Sequence, residues 1–384
     1  MYSVLCHHGG ARKGPNIAQS GRKRTYLAAS GDSGRQHVGD RPRTWPGASF
    51  SRDLDMSKAI TIRGAGIVGL CVATELIAQG ARVILRDPAP EPGPTACSWW
   101  AGGMLAPFCE GFSAEEPVVR LGQQAADWWS AQGVKVERKG TLVVTLQRDR
   151  RELDQFARRT KGHRLVSSEE LAKLEPHLAE HHARALYFKD EAHINPRMAL
   201  AQLRDWLVLS GVVFEQSAET PHGPVIDCRG LAAQDALPEL RGVKGEMVIL
   251  RAPDVTLNRP IRLLHPRFPL YIVPRGDGVL MLGATQIESE ERGRTSVRSV
   301  MELLSAAYAL HPAFGEAEVM EIGADARPAF PDNLPRIIRK GDTIYANGLF
   351  RHGFLLSPIV ARMVAGLVTG DNANPEFLAH EYHG

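Results

Sequence analysis

One stretch, residues 59–87, constrains the fold of this chain most. An apolar run rich in β-branched residues leads into Gly64-x-Gly66-x-x-Gly69, a helical pattern follows, and a second apolar run ends at Asp87. Strand, glycine turn, helix, strand and terminal acid in this order are the signature of a βαβ unit that binds a dinucleotide. The three glycines alone would also fit a turn that holds no ligand.

Each glycine of this motif, and the acid that ends it, has a physical purpose. Gly64 permits the tight turn, Gly66 lets the backbone approach a pyrophosphate, and Gly69 lets the helix pack close to the strand. The helix N-terminus then offers free N–H groups and the positive end of its dipole to the phosphates. Asp87 lies 18 residues after Gly69 and can accept hydrogen bonds from a ribose hydroxyl.

Composition and charge exclude several classes of protein. The chain has 384 residues, of which 43% are hydrophobic and 23% charged, as is ordinary for a soluble enzyme. Residues 1–55 carry nine Lys/Arg and four Asp/Glu, so that the net charge of +3 leaves the remainder near −2. The folded part therefore has no basic excess that favours nucleic acid, and no apolar run is long enough to span a membrane.

The five cysteines are scattered and form no CxxC motif. This pattern favours reduced thiols in a cytoplasmic protein, and it argues against a disulfide framework or a metal site. Residues 1–55 are rich in Gly, Ser and Arg and lack hydrophobic periodicity. We therefore expect 1–57 to be a disordered or non-native leader, with Met56 as the start; an organellar targeting peptide or a basic binding tail is the alternative.

The remaining pattern predicts an α/β fold with a Rossmann-type domain and a second, α+β substrate domain. Several β runs between residues 245 and 283 predict an antiparallel sheet in the second domain. The predicted cofactor domain is discontinuous and consists of residues 58–110, 195–243 and 322–384. The predicted substrate-binding domain consists of residues 111–194 and 244–321.

Local patterns add more specific expectations. We expect one helix over Leu121–Gln132, a short strand over Tyr187–Asp190 and an irregular segment over Ala324–Pro328. Near the end of the chain, a strand over Thr343–Ala346 is followed by a glycine loop and a helix over Phe354–Val368. This second strand–loop–helix unit would direct another helix N-terminus into the ligand crevice.

Five segments together resemble a known family. They are GAGIVG at 64–69, SWWAGGMLAP at 98–107, LYIVPRGDGVLMLGAT at 270–285, ARP at 326–328 and GLFRHGFLLSP at 348–358. In this order they resemble the FAD-dependent amino-acid oxidases of the D-amino-acid oxidase/sarcosine oxidase superfamily, and among these the glycine oxidases of the thiamine pathway. The resemblance implies that the Rossmann-type domain binds FAD.

The resemblance also implies which residues contact FAD. Cys97 and Ser98 would correspond to a flavin-contacting Thr/Ser pair, in which cysteine departs from the usual threonine. Residues 102–104 would lie against the isoalloxazine ring, and N–H groups of the loop 349–355 would reach the flavin pyrimidine edge. The predicted cofactor contacts are Gly64, Gly66, Ile67, Val68, Gly69, Asp87, Cys97, Ser98, Gly102, Gly103, Met104, Leu349, Phe350, Arg351, His352, Gly353, Phe354 and Leu355.

For the substrate, Tyr271 and Arg327 resemble the pair that binds the carboxylate, and Arg351 resembles the active-site arginine beside the flavin. By residue type alone, Arg327 would be a surface or structural ion-pair residue and Tyr271 a core residue. Gln286 stands where some relatives carry methionine. Glu110, just after the GMLAP run, receives less weight. Because the flavin carries the difficult step, no catalytic side chain beyond it is predicted.

The implied activity is oxidative deamination of glycine or another small amino acid by hydride transfer to FAD. Reoxidation by O₂ would give H₂O₂, and the imine or glyoxylate would feed a thiazole synthase. Binding of FAD should be noncovalent, because the last cysteine is Cys228 and the covalent relatives use one nearer the C-terminus. A D-amino-acid dehydrogenase with another acceptor, a non-catalytic FAD-binding subunit and an NAD-dependent dehydrogenase stay open, as does homo-oligomer formation.

Overall fold

The computed structural model describes residues 59–216, 223–265, 270–371 and 374–379, so the predicted leader lies outside the described residues. The strands are β1 (Ile60–Arg63), β2 (Val83–Arg86), β3 (Met104–Leu105), β4 (Thr141–Thr145), β5 (Arg164–Ser167), β6 (Arg184–Phe188), β7 (Ala192–His193), β8 (Val213–Glu215), β9 (Val225–Asp227), β10 (Arg241–Arg251), β11 (Ile261–Leu264), β12 (Leu270–Gly276), β13 (Val279–Gly283), β14 (Ile287–Glu288), β15 (Glu318–Ala329), β16 (Arg336–Lys340), β17 (Thr343–Asn347) and β18 (Leu378–Ala379). The α-helices are α1 (Ile67–Ala78), α2 (Pro107–Glu110), α3 (Glu116–Gly122), α4 (Ala125–Ala131), α5 (Arg150–Arg159), α6 (Ser168–Leu174), α7 (Pro176–Ala179), α8 (Pro196–Leu209), α9 (Val297–Leu310) and α10 (Gly353–Thr369).

The first sheet has seven strands in the order β18-β16-β17-β9-β1-β2-β8. All neighbouring pairs are parallel except β16 with β17. The opening βαβ unit therefore lies at the middle of the sheet, where β1 pairs with both β2 and β9. The carboxyl ends of these parallel strands share one edge, which is where ligands bind in open α/β sheets.

Helix α1 is apolar around most of its circumference, and this explains its position. Eight of its twelve residues are buried, among them Leu70 and Leu76, so the helix cannot lie on a surface. It packs against α8 and α10. This packing of α1 against α8 and α10 fixes the N-terminus of α1 next to the carboxyl end of β1.

The second sheet has nine strands. Its main path is β14-β10-β13-β12-β11-β4-β6-β5, and β15 pairs with β10 at one side. Its pairs are antiparallel except β11 with β4. The predicted fold class, a Rossmann-type unit with an antiparallel-sheet region, is confirmed. The boundaries of the two domains stay a prediction.

The expected irregular segment Ala324–Pro328 is wrong, because these residues lie inside the long strand β15. The strand pairs with β10 from Arg251↔Glu318 to Arg241↔Ala329. Ala, Asp and Pro are poor strand formers, but pairing with a neighbour overrides this weak preference. A proline is tolerated because β10 is the one strand of the described residues that β15 pairs with, apart from an isolated bridge between Ala329 and Leu349. The strand therefore lies at the side of the sheet, where a missing N–H is harmless.

Two other local expectations are also wrong in their bounds. The helix expected over 121–132 is divided into α3 and α4, and the break follows Gly122, whose Cβ position would lie 2.8 Å from the Leu355 side chain of α10. A glycine at this close contact also weakens the helix. The strand expected over 187–190 begins earlier and ends at Phe188, because pairing with β4 fixes its register.

In the described part of the chain, no helix combines the length and the apolar character needed to cross a bilayer. Within the same residues, no cluster of three or more His, Cys, Asp or Glu side chains is arranged to hold a metal ion.

Candidate functional site

A cavity of about 1260 Å³ lies between the two sheets. It is larger than a pocket for a single small molecule, which measures roughly 300–1,000 Å³, and so has room for a dinucleotide and a substrate. Every predicted site residue except Gly69 lines this cavity. The structure therefore brings together segments that are almost 300 residues apart in the chain.

The glycine motif forms one end of the cavity. Gly64 has φ +103°, and a Cβ there would lie 2.6 Å from the carbonyl oxygen of Cys228. A Cβ on Gly69 would lie 1.9 Å from the Gly64 carbonyl oxygen, so Gly69 sits beneath the turn and not on the cavity wall. Gly66 caps α1 without any side-chain hydrogen bond. The first N–H groups of α1 thus remain open to an anion.

Asp87 stands beside this turn, where its carboxylate accepts two backbone hydrogen bonds. Its Oδ2 lies 2.7 Å from the Ala65 nitrogen, and its Oδ1 lies 2.7 Å from the Ala89 nitrogen. The acid therefore helps to fix the glycine turn. Its predicted contact with a ribose hydroxyl stays a prediction.

The strip that follows residue 97 forms the middle of the cavity. The Ser98 hydroxyl is buried and has no hydrogen-bond partner among the described residues. Arg275, which the sequence pattern did not single out, donates to the carbonyl oxygens of Ala101, Gly102 and Ile194 at 2.8–3.1 Å. These bonds tie the small-residue strip to strand β12 of the second sheet.

The loop before α10 closes the cavity from the other side. Three of its N–H groups already have acceptors, since Phe350, His352 and Leu355 donate to the carbonyls of Pro328, Leu349 and His352. The helix has no side-chain cap at its N-terminus. Among the predicted contacts of this loop, the N–H groups of residues 349, 351, 353 and 354 are therefore the better candidates for a ligand.

Tyr271 and Arg327 both line the cavity, and two glycines leave space for the Tyr271 side chain. A Cβ on Gly283 would lie 2.5 Å from the Tyr271 hydroxyl, and one on Gly102 would lie 2.8 Å from the ring. The Arg327 Nη1 donates to the carbonyl oxygen of Thr285 at 3.2 Å. Burial raises the pKa of Tyr271, so its phenol keeps a proton to donate.

Arg351 occupies a different environment from Arg327. Its Nη2 lies 2.6 Å from Oε2 of Glu110, and His352 Nε2 lies 2.9 Å from the same oxygen. Arg262 approaches Glu110 Oε1 at 3.4 Å. Burial raises the pKa of Glu110, but Arg351, Arg262 and His352 outweigh that effect and hold the pKa well below its usual range. Arg351 and Arg262 thus share one carboxylate partner, Glu110.

The arginines that line the cavity differ in whether they form an ion pair. Seven of the eight that line it form ion pairs, whereas no ion pair among the described residues includes Arg327. The seven pairs are Arg63–Asp227, Arg86–Glu215, Arg229–Asp227, Arg262–Glu110, Arg292–Asp325, Arg298–Glu302 and Arg351–Glu110. An arginine that keeps its charge in a cavity without a carboxylate of its own chain is suited to a carboxylate ligand.

Comparison with known proteins gives a consistent result. A family model described as FAD dependent oxidoreductase matches residues 59–367. A Rhizobium etli protein provisionally named thiamine biosynthesis oxidoreductase ThiO is 52% identical over 324 residues, covering 83% of this chain and 98% of that protein. Glycine oxidase of Pseudomonas aeruginosa is 28% identical over 360 residues, covering 82% of this chain and 96% of that enzyme.

The fold also matches a solved structure. The crystal structure of glycine oxidase from Geobacillus kaustophilus superposes with a TM-score of 0.69 at 24% identity, covering 83% of this chain and 96% of the other. At this identity the match supports the fold and not a shared substrate. The family resemblance drawn from the five sequence segments is confirmed.

The buried Glu191 carboxyl, which contacts the backbone of Cys109, makes the stability of the fold depend on pH. Its Oε1 accepts from the Cys109 nitrogen at 2.7 Å, next to Glu110, and its Oε2 has no partner among the described residues. Burial raises its pKa from 4.5 to about 7. Between these values the unfolded chain loses a proton that the folded chain keeps, so the stability falls by about 3 kcal/mol as pH rises through the window.

We predict that Glu191→Gln abolishes this loss. Free energies of unfolding from urea titrations at pH 4.5 to 8 should show the variant gaining stability relative to wild type as the pH rises. The matched control is Glu169→Gln, since the Glu169 side chain is 83% exposed and its profile should follow wild type. Parallel profiles for wild type and Glu191→Gln would contradict the assignment.

Proposed function

Because this chain belongs to the family of FAD dependent oxidoreductases, we propose that it binds FAD noncovalently and oxidises glycine or another small amino acid. When bound, the flavin supplies the chemistry by accepting hydride from the α-carbon and passing electrons to O₂, which becomes H₂O₂. The imine product would hydrolyse, in the case of glycine to glyoxylate. The chain itself would bind, orient and electrostatically stabilise the reactants.

Several features of the cavity fit FAD. The uncapped N-terminus of α1 suits the pyrophosphate, and the unpartnered Ser98 hydroxyl lies 3.9 Å from the Cβ position of Gly66. The strip over residues 101–103 offers a surface without large side chains. The N-terminus of α10 would place its positive end near a ring that becomes anionic on reduction.

Noncovalent binding is supported by the state of the cavity thiols. Attachment through sulfur needs a thiolate. Burial raises the pKa of Cys97 to about 12 and that of Cys228 well above its usual value. Both thiols are thus held in the unreactive form at neutral pH.

One observation carries the choice of an amino acid as substrate: Arg327 lines the cavity and pairs with no carboxylate of the described chain. We propose that its guanidinium binds the substrate carboxylate bidentately and that the Tyr271 hydroxyl adds a hydrogen bond. Arg351, already paired with Glu110, would form the wall beside the flavin. Glu110 is a poor proton acceptor because its pKa is lowered, and we assign no general base to the chain.

We further propose that the product feeds thiazole formation for thiamine. The name of the Rhizobium etli relative supports this use, since it attributes that protein to thiamine biosynthesis. The partner would be a thiazole synthase that consumes the imine or glyoxylate. A cytoplasmic location is part of the same proposal.

The proposed activity is tested by spectrum and peroxide assay on the purified full chain. We expect a yellow protein that absorbs at about 450 nm, releases all its flavin on denaturation, and forms H₂O₂ under air with glycine, sarcosine or a small D-amino acid. Amino-acid oxidation without peroxide would indicate a dehydrogenase, and flavin without any turnover would indicate a binding subunit. A protein that binds NAD and no flavin would refute the proposal.

Arg327→Ala should remove the substrate carboxylate contact. We expect kcat/KM to fall by about 30-fold or more, since losing this buried charged contact should cost roughly 2–5 kcal/mol, with normal flavin content. Arg327→Lys should be intermediate, because it keeps the charge but not the bidentate geometry. Steady-state kinetics provide the measurement, and Arg339→Ala is the control, since Arg339 is exposed outside the cavity. Wild-type kinetics for Arg327→Ala would refute the assignment.

A further inference from the structure

The position of Arg327 depends on a glycine of the neighbouring strand. Strand β10 places Gly245 beside the Arg327 side chain, and a Cβ on residue 245 would lie 2.1 Å from Nη2, 2.4 Å from Cζ and 2.7 Å from Nη1. No side chain other than hydrogen can therefore coexist with this position of the guanidinium. The three nearest atoms all belong to Arg327, so a methyl group would displace the guanidinium and not the backbone of the sheet.

Other glycines on β10 and β15 leave space for different groups, so the close approach of a guanidinium is particular to Gly245. A Cβ on Gly242 would meet the backbone and side chain of Glu290, and one on Gly323 would meet the indole ring of Trp100. Those glycines serve contacts between segments of the fold. At Gly245 the missing side chain makes room for one charged group in the cavity.

A second contact fixes the same guanidinium from another direction. The Arg327 Nη1 donates to the carbonyl oxygen of Thr285, and Thr285 is itself held by Glu246. The Thr285 nitrogen donates to the Glu246 carbonyl at 3.2 Å, the Glu246 nitrogen donates to Thr285 Oγ1 at 2.9 Å, and that hydroxyl lies 3.2 Å from Glu246 Oε2. The carbonyl that receives Arg327 is therefore not free to turn away.

Glu246 connects this arrangement to the wall of the cavity. Its carboxylate is fully buried, lies 3.3 Å from the Lys244 ammonium, and accepts from the Ser296 nitrogen at 2.9 Å. Ser296 is the N-cap of α9, and α9 lines the cavity with Ser299 and Leu303. The position of Thr285 and the position of this helix are thus set by one buried carboxylate.

We propose that Gly245 and Thr285 are positioning residues that determine where the carboxylate of the substrate binds. This inference rests on the proposed role of Arg327 as carboxylate ligand. Gly245 supplies the space in which the guanidinium lies, and the Thr285 carbonyl occupies one N–H donor so that the remaining donors point to the ligand. The recognised group is a carboxylate, and the selected substrates are those whose reacting carbon reaches the flavin from this fixed point.

The test compares Gly245→Ala with Gly293→Ala in the flavin-loaded enzyme. Gly293 is the matched control, because no atom lies within 4 Å of its Cβ position and its φ is not positive. For Gly245→Ala we expect a rise in KM of more than about tenfold with a smaller change in kcat. The Ki of acetate, a carboxylate without an amine, should rise by the same factor, while flavin content and spectrum stay normal.

A double-mutant cycle separates positioning from general damage. In an Arg327→Ala background, adding Gly245→Ala should change the Ki of acetate by less than about twofold, because the displaced group is already absent. An equal effect in both backgrounds would overturn the proposal, since the methyl group would then act on the fold. Wild-type kinetics and a wild-type Ki for Gly245→Ala would overturn it as well.

The Thr285 variants provide a second route that does not depend on residue 245. Thr285→Val removes the hydroxyl that binds Glu246 and should weaken acetate binding, whereas Thr285→Ser keeps the hydroxyl and should bind like wild type. Equal binding by the two variants would contradict the role of Thr285. Normal acetate binding by Arg327→Ala would refute the proposed function itself, whereas a defect there with normal Gly245→Ala would refute only this inference.

Discussion

The antiparallel pairing of β10 with β15 is the interaction on which the substrate end of the cavity depends. It sets Val243 opposite Arg327 and Gly245 opposite Asp325, and the side chains of Asp325 and Arg327 both line the cavity. Asp325 pairs with Arg292 at 2.6 Å, whereas Arg327 meets a glycine and a carbonyl oxygen. A shift of one residue in this register would send both side chains to the opposite face. The backbone pairing, and not a local motif, therefore places the arginine.

The two arginines near the proposed flavin position are distinguished by what surrounds them. Arg351 lies in the loop before α10 and pairs with Glu110 at the end of α2, a carboxylate that it shares with Arg262. Removing one partner of such a buried pair would leave an uncompensated charge, so this pair is suited to a fixed wall. Arg327 keeps an uncompensated charge that a ligand can satisfy. Among the eight arginines that line the cavity, Arg327 is thus distinguished by having no carboxylate partner in the described part of the chain.

Much of this organisation could be predicted from the sequence. The βαβ unit was predictable because its spacing follows from the geometry of a strand, a turn and a helix, and the antiparallel runs after residue 245 have clear strand patterns. The segment with Arg327 was expected to be irregular, because its residue types disfavour a strand and its partner lies about 80 residues earlier. Arg275 and Arg262 were missed for a related reason: a single arginine in a strand gives no local signal of what it contacts. Glu110 received little weight, since only the fold brings Arg262, Arg351 and His352 around it.

The central claim is that the unpaired Arg327, and not Arg351, receives the carboxylate of the substrate. A crystal structure of the protein with FAD and acetate tests it most directly. The account predicts acetate oxygens within hydrogen-bond distance of the Arg327 guanidinium and the Tyr271 hydroxyl, with Arg351 still paired to Glu110. Acetate bound to Arg351 with Glu110 displaced, or Arg327 paired with a carboxylate of its own chain, would contradict the account.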